Sequence, residues 1–526
     1  MRRPALAALA AAIALAASCG RVPPRFADRP PVLATADDAP IPPPRPRTTG
    51  FSPDQISDAY LRHALVEALD PTRTPEAADI NALDDVVRST WFRPAPPPDP
   101  DPDRAPRPPI ALDPAAAPAG WPPAPAGPAY GTIPVLDARG RRYLLRRDSP
   151  DNPQLRTTAE VIAGRLVRAI GYLTPDVDIV DLTPGHFTEP DRAREFLEAG
   201  PPPQAGVFRL SATAWPIGLD LGPMSDTSLR RDDPNDRLPH LDRRTLRALR
   251  LVVAWLRITN LDPAILRDVY VGRPPRGHVE HYLVGLHGAL GADAVAGAPE
   301  ARRVAHDRDG TLRRLVSLGL LPERTNAPAQ TTWSSLGEIG RTVFVDDLDP
   351  SPKFAPFNRA LPGDDYWIAR RIAGIPHGVI AGAVAAGRLG DHAAVTYLGD
   401  VLEARRAQVV AYAFGRVTPC DVEGIEGSSL ILRDLAVAHG LAAPATSRYL
   451  VEQLDPSGEP IAAPAWIRGA TARVPVPLAP TALASAEYLV VRVRAERAGE
   501  PSPRALEVHL RRGDPGPAWR VRGVRH

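Results

Sequence analysis

The chain has 526 residues, 44% of them hydrophobic, with 63 basic against 61 acidic side chains and a formal net charge of +2. No basic block stands apart from acidic neighbours, which argues against a nucleic-acid partner. The length fits about three domains, and the apolar content is ample for real cores.

Arg2 and Arg3 precede the apolar run Pro4 to Ala17, and Ser18 and Cys19 follow, which is the order of a secretory signal. That run is too short to span a bilayer. Leu15-Ala16-Ala17-Ser18-Cys19 resembles the lipobox of bacterial lipoproteins, in which small residues admit the peptidase and the cysteine is acylated. An ordinary signal peptide cleaved nearby would give the same export. Gly20, rather than an acidic residue, follows the cysteine, and by that resemblance favours the outer membrane if the cell has one. The expectation is a cell-envelope protein held on the membrane by lipid at Cys19. Of the 2 cysteines only Cys420 then remains, so no intramolecular disulfide forms, and Cys420 reads as buried packing.

After the leader at 1–19, residues 20–50 are rich in proline, aspartate and arginine and read as a spacer. Residues 51–93 open with Ser52-Pro53-Asp54-Gln55, a capping-box arrangement before a short helix, Ile56 to Ala68. Proline is so dense through 94–128 that this linker can adopt only polyproline conformation or disorder. Structure resumes at 129–215 with a hairpin around Asp137-Ala138-Arg139-Gly140, a helix from Thr158 to Ile170 stopped by Gly171, and a strand from Val177 to Val180. Within 216–445, Leu246, Leu249, Val252, Val253 and Leu256 recur at helical spacing between Asp242 and Ile258, with arginines on much of the other face. Further helices are expected at Asp365 to Ala373, Gly378 to Ala386 and His392 to Phe414. From 446 to 526 alternating strands such as EYLVVRVRAE predict a small β-sandwich.

The segments YLLRRD, TTAEVIAGRLVRAIGY, DDPNDRLPH, HYLVGLHGALG, WIARRIAGIPHGVIAGAV and LEARRAQVVAYAFGRVTP, with INALDDVVRSTWF before them, run in order along the chain. Together they resemble a family of bacterial envelope proteins with an atypical kinase-like fold, distantly similar to HipA and phosphatidylinositol 4-kinase-like enzymes. The resemblance implies an α+β chain. Its core would be two-lobed and kinase-like, with the N-lobe at 129–215 and a mainly helical C-lobe at 216–445, followed by the all-β domain and flanked by proline-rich spacers.

Such a site needs a basic side chain on a strand for phosphates, a helix glutamate to orient it, and carboxylates for the metal and the nucleophile. The resemblance places Arg146 on the strand and Glu160 on the helix, as a phosphate-contacting pair. Guanidinium is a planar fork and not a point charge, so arginine is no neutral stand-in for lysine, although a chain whose single lysine is Lys353 shows a coding bias toward arginine. An exposed ion pair is the plain alternative for these two residues. At the catalytic loop the chain offers Asn260 and Ile265, with Asp262 out of register before Pro263, and Asp268 a little beyond. Gly285-Leu286-His287 stands where the resemblance calls for a metal-binding Asp-Phe-Gly. Ile265 and Gly285 cannot ligate magnesium, which demands hard oxygen ligands.

Other constellations fare worse. His278, His281 and His287 match no standard metal spacing, and Asp232, Asp233 and Asp236 lack the glycine and distal glutamate of a calcium loop, so no metal site is expected. Ser211, Ser225, Ser228 and His240 occur without a Gly-x-Ser-x-Gly elbow, and a single lysine in Ser-Pro-Lys-Phe makes no Walker A motif. Trp466, Tyr488 and Trp519 read as core or edge aromatics of the sandwich. The leading expectation is a non-enzymatic, pseudokinase-like binding or scaffolding unit with no cofactor. Its partners would be the membrane, through the lipid, and an unidentified envelope protein or ligand. The rival is an active phosphotransferase using ATP and magnesium, with Asp262 or Asp268 as relocated carboxylate.

Overall fold

The computed structural model describes residues 24–47, 74–94, 105–113, 131–258, 266–295, 331–343, 354–513 and 518–526. Cys19, the expected helix Ile56 to Ala68, Asn260, Asp262, Ile265 and Lys353 lie outside these. The fold is α+β, and it divides into two compact units. One draws on Leu33–Ile80 and Val86–Tyr412, the other on Met1–Val32, Asn81–Asp85 and Ala413–His526. Both lobes expected at 129–215 and 216–445 thus fall largely in a single unit.

In the first unit, β1 (Ala111–Leu112), β2 (Thr132–Leu136), β3 (Arg142–Arg146), β4 (Asp176–Leu182) and β5 (Phe208–Ala214) form an antiparallel sheet in the order β1-β2-β3-β5-β4. Strand alternation divides its faces. Tyr143, Leu145, Leu210, Ala212 and Ala214 share an apolar core with Phe196 and Leu197 of α2 (Pro190–Glu198). The opposite face turns Arg146, Ser211 and Thr213 toward α1 (Leu155–Ile170). Here the expected linker departs from disorder: Ile110 is fully buried, and Ala111 and Leu112 pair with Leu136 and Val135. An apolar triplet among the prolines is enough to dock there.

A second sheet of this unit has β6 (Leu219–Pro223), β7 (Leu266–Val271) and β8 (His278–Leu283) in the order β6-β7-β8. The helix expected between Asp242 and Ile258 is divided into α3 (Arg244–Arg247) and α4 (Leu249–Leu256), because the Leu251 N–H bonds the Ala248 carbonyl in a tightened turn. Its arginines face carboxylates, not solvent. Arg244 lies 2.9 Å from Asp364, and Arg250 pairs with Asp365, both acids at the start of α5 (Pro362–Ala373). The helices α6 (His377–Ala386) and α7 (His392–Gly415) follow near their expected bounds. Residues 33–47, expected as free spacer, are extended but docked, with Ile41 buried among Leu221, Tyr270 and Val279 and its N–H on the Gly277 carbonyl.

In the second unit, β9 (Cys420–Glu426), β10 (Ser429–Asp434), β11 (Ser447–Leu454), β12 (Ala465–Arg468), β13 (Arg473–Pro477), β14 (Tyr488–Arg497), β15 (Glu500–Pro501), β16 (Leu506–Arg512) and β17 (Trp519–Arg525) make two sheets. One has the order β13-β10-β9; the other runs β12-β11-β14-β16-β17, with β15 on β14. Leu430, Leu432, Val474 and Val476 of the first share a core with Tyr449, Val451, Leu489, Val491 and Val508 of the second, which makes a sandwich. It begins at Cys420, ahead of the expected boundary at 446, because β10 supplies part of that core. The segment after residue 23 belongs to it too. Phe26 packs edge-on to His509 at 4.8 Å, its N–H donates to the Tyr488 hydroxyl, and a Cβ on Gly523 would meet its ring at 2.1 Å. Among the described residues no helix is long and apolar enough to cross a membrane.

Candidate functional site

Arg146 ends β3 directly opposite Ser211 of β5, and Thr213 stands two residues along on the same face. Above them lies α1, whose first turn is held by the Asp148 carboxylate: it accepts from the Arg156 and Thr157 N–H groups at 2.8 and 3.1 Å and from the Thr157 hydroxyl at 2.6 Å. That anchoring sets Glu160 over the strands. Glu160 Oε2 accepts from Arg146 Nε at 3.2 Å and from Ser211 Oγ at 2.8 Å, while Oε1 accepts from Thr213 Oγ at 3.2 Å. The pair is not the exposed one that was the plain alternative, since the two side chains are only 4% and 3% exposed.

Only Nε of the guanidinium is used. Among the described residues neither terminal nitrogen of Arg146 makes a hydrogen bond, so most of its donors are left for something else. Close by, Gly285 in left-handed conformation (φ 68°) starts the short turn Leu286–Gly288 that carries His287. Burial pushes the His287 imidazole well below its usual range, and the charges of Arg146 and Arg156 push it further, so it is neutral. Its Nδ1 is buried with no partner among the described residues. Arg156, by contrast, is paired with Asp293 at 3.2 Å. Arg146, Glu160 and His287 are thus brought together, with Gly285 beside His287 and Leu286 buried behind it. Arg209 completes the polar layer, with Nη2 donating to Thr158 Oγ at 3.0 Å, and burial lowers its pKa to about 10.

Asp268 is elsewhere in its chemistry. Fully buried on β7, it accepts from Arg230 Nη1 at 2.8 Å and His281 Nδ1 at 2.9 Å. Burial alone would raise its pKa, but the His281 hydrogen bond and charge, then Arg230, bring it down to about 2. Trp91 closes the cluster, stacked on His281 with ring centroids 3.6 Å apart. Asp236 is likewise held, by Arg243 at 3.0 Å and His240 at 2.8 Å, while Asp232 lies 3.2 Å from Arg230. His278 sits 3.5 Å from Glu280, so the three histidines have three different surroundings. His240 meets the Ser225 carbonyl and not its hydroxyl, which instead lies 2.8 Å from that of Ser228. In the sandwich, Cys420 and Trp519 are buried in the core, and Trp466 is half exposed under Arg448.

Sequence reasoning passed over Asp148, Thr213, Arg209 and Arg156. The signal was present in FRLSATA: alternate positions put Arg209, Ser211 and Thr213 on one face and Leu210, Ala212 and Ala214 on the other.

No family model matches the chain, and no curated protein matches it in sequence. Among solved structures it is similar to the Helicobacter pylori proinflammatory kinase CtkA, with 9% identity and a TM-score of 0.31, covering 54% of this chain and 90% of that one. At that score the likeness carries no weight for function.

Proposed function

We propose that this chain is a lipid-anchored cell-envelope protein whose degenerate, kinase-like core binds an anionic ligand without transferring a phosphoryl group. The observation that carries the reading is Arg146, oriented through Nε by Glu160 with both terminal nitrogens left over, beside a neutral His287. A planar guanidinium presented this way suits a phosphate or carboxylate. Catalysis would further require magnesium on hard oxygen ligands. Gly285 brings no side-chain oxygen, and neutral imidazole is a poor magnesium ligand. The rival enzyme needs Asp262 or Asp268 as relocated carboxylate, and Asp268 is engaged on both oxygens by Arg230 and His281. The sandwich would serve as the second binding or scaffolding surface, toward an envelope partner.

For the anchor, two acyl attachments at Cys19 supply the paired signals that stable membrane residence needs. Phe26 docks on the sandwich seven positions later, a span of at most about 25 Å of extended chain. The sandwich would therefore be held near the membrane surface. Cys19→Ala should move the protein to the soluble fraction, and persistence in membranes after a high-salt wash would refute the anchor. For the core, ATP titrated with magnesium or with chelator should raise thermal stability equally, because a ligand bound only by the folded state stabilises it with the logarithm of its concentration above Kd. Arg146→Ala should remove the shift. A shift that requires magnesium and disappears in Asp262→Asn would instead favour the enzyme.

A further inference from the structure

At the other end of the same strands and helix lies a cavity of about 340 Å³, lined by Arg93, Arg141, Arg168, Trp215, Ile217 and Tyr282 among others. Its position is set by chain geometry. Arg141 immediately precedes β3 and Arg146 ends it, about 17 Å apart at the rise of a strand. Arg168 is two turns beyond Glu160 on α1, about 12 Å along the axis. The cavity is therefore separate from the Arg146 centre while sharing its rigid elements.

Three guanidinium groups line this space. Arg93 is paired with Glu280, which also accepts from the Tyr282 hydroxyl at 2.6 Å, and Arg168 is paired with Asp176. Arg141 differs. Its side chain has no carboxylate or hydrogen-bond partner among the described residues, its Nε is buried and unsatisfied, and its only close neighbour of note is the Tyr143 ring at 5.6 Å. The terminal nitrogens of Arg141 are the donors left for a ligand oxygen. Thr174 and Asp176 also line it, the latter held by Arg168, and the apolar side is made by Trp215, which is buried, and by Ile217, which is 81% exposed. A volume of this size is at the small end of ligand pockets, roughly 300–1,000 Å³. At about 30 Å³ for each water displaced it has room for roughly ten non-hydrogen atoms.

We infer that this cavity is a binding site for a small organic carboxylate, its charged end on Arg141 and its compact apolar body against Trp215 and Ile217. The inference is independent of the proposed role of Arg146. Inorganic anions lack the apolar body, and a nucleotide is too large for the volume.

The probe is benzoate, titrated against the purified protein by calorimetry with thermal unfolding in parallel, and compared with benzyl alcohol and inorganic phosphate. Benzoate should bind and stabilise, with both controls at least tenfold weaker, a difference of about 1.4 kcal/mol. Arg141→Gln should weaken benzoate at least tenfold, Arg141→Lys should restore part of the loss, and Arg341→Gln, in an exposed ion pair with Asp400, should leave benzoate affinity within about twofold. Circular dichroism of each variant confirms that it is folded. The site is refuted if benzoate shows no binding at about 10 mM, a limit near 3 kcal/mol of affinity. Equal affinity in Arg141→Gln, or equal binding of benzyl alcohol, would refute the charge recognition. Equal binding of inorganic phosphate would refute the apolar half of the assignment.

Discussion

Glu160 and Asp268 are both buried carboxylates that meet an arginine, and they differ in what the arginine has left. Arg230 gives Nη1 to Asp268 and Nη2 to the carbonyl of Arg45, while His281 covers the other Asp268 oxygen beneath Trp91. Both terminal nitrogens of Arg230 are spent there, and its Nε lies 3.2 Å from Asp232. Arg146 gives Glu160 its Nε alone, and the remaining acceptor capacity of Glu160 is taken by Ser211 and Thr213. The first arrangement closes on itself and braces the fold; the second holds a guanidinium in place with its fork unspent. The difference teaches that burial of an ion pair does not identify a site. The donors it leaves over do.

The largest effect should come from breaking the closed cluster. Asp268→Ala strands the Arg230 charge in the interior and should cost about 3–5 kcal/mol in urea denaturation, with the nucleotide response of whatever remains folded unchanged. A cost below about 1 kcal/mol would remove the distinction between the two centres. Next in size is an acid effect that reaches the two units in different windows. His509 in the sandwich has its pKa lowered to about 4, by burial first and then by Arg525 and Arg492. Its neutral form is the one the fold accepts, so its contribution of about 3 kcal/mol is complete above its unfolded value of about 6.5 and is lost as pH falls toward 4. The Asp268 contribution, about 2 kcal/mol, is complete above the unfolded aspartate range near 3.9 and is lost only as pH falls toward 2. Fluorescence and circular dichroism on acid titration should therefore show the sandwich loosening before the Asp268 cluster. Simultaneous loss would contradict the assignment. The smallest change in stability, about 1–2 kcal/mol, is expected for Arg146→Gln, whose amide can still donate to Glu160. The same variant should lose most of the anion affinity, so a small structural cost with a large binding cost would sharpen the comparison further.

Much of this architecture was legible because periodicity survives in short windows. The hairpin of β2 and β3, the helices α1, α5, α6 and α7, and the strands β14 and β16 follow from alternation or helical spacing with turn residues between them. Arg146 and Glu160 were also legible, as a strand residue and a helix residue in a recognisable order. What could not be read was pairing at long range. Arg230 meets Asp268 across 38 positions, and Arg244 meets Asp364 across 120, so arginines that look like a solvated helix face are interior ones. The proline-rich stretches misled for a related reason: composition predicts extended chain, but it does not say that Phe26, Ile41 and Ile110 each find an apolar slot. The sandwich boundary was drawn late because β10, which pairs with β9, finds its other partner, β13, some forty residues further on.

The central claim is that the Arg146 centre holds an anion without acting on it, and the most direct measurement follows the γ-phosphate of labelled ATP. The purified protein, incubated with ATP and either magnesium or manganese at neutral pH, should release no phosphate and label neither itself nor an added acceptor above the rate without protein, because on the proposed reading Gly285 and Ile265 stand where oxygen ligands for the metal would be needed. Metal-dependent transfer that is abolished by Asp262→Asn and retained in a control surface variant would contradict the account and make the chain an active phosphotransferase.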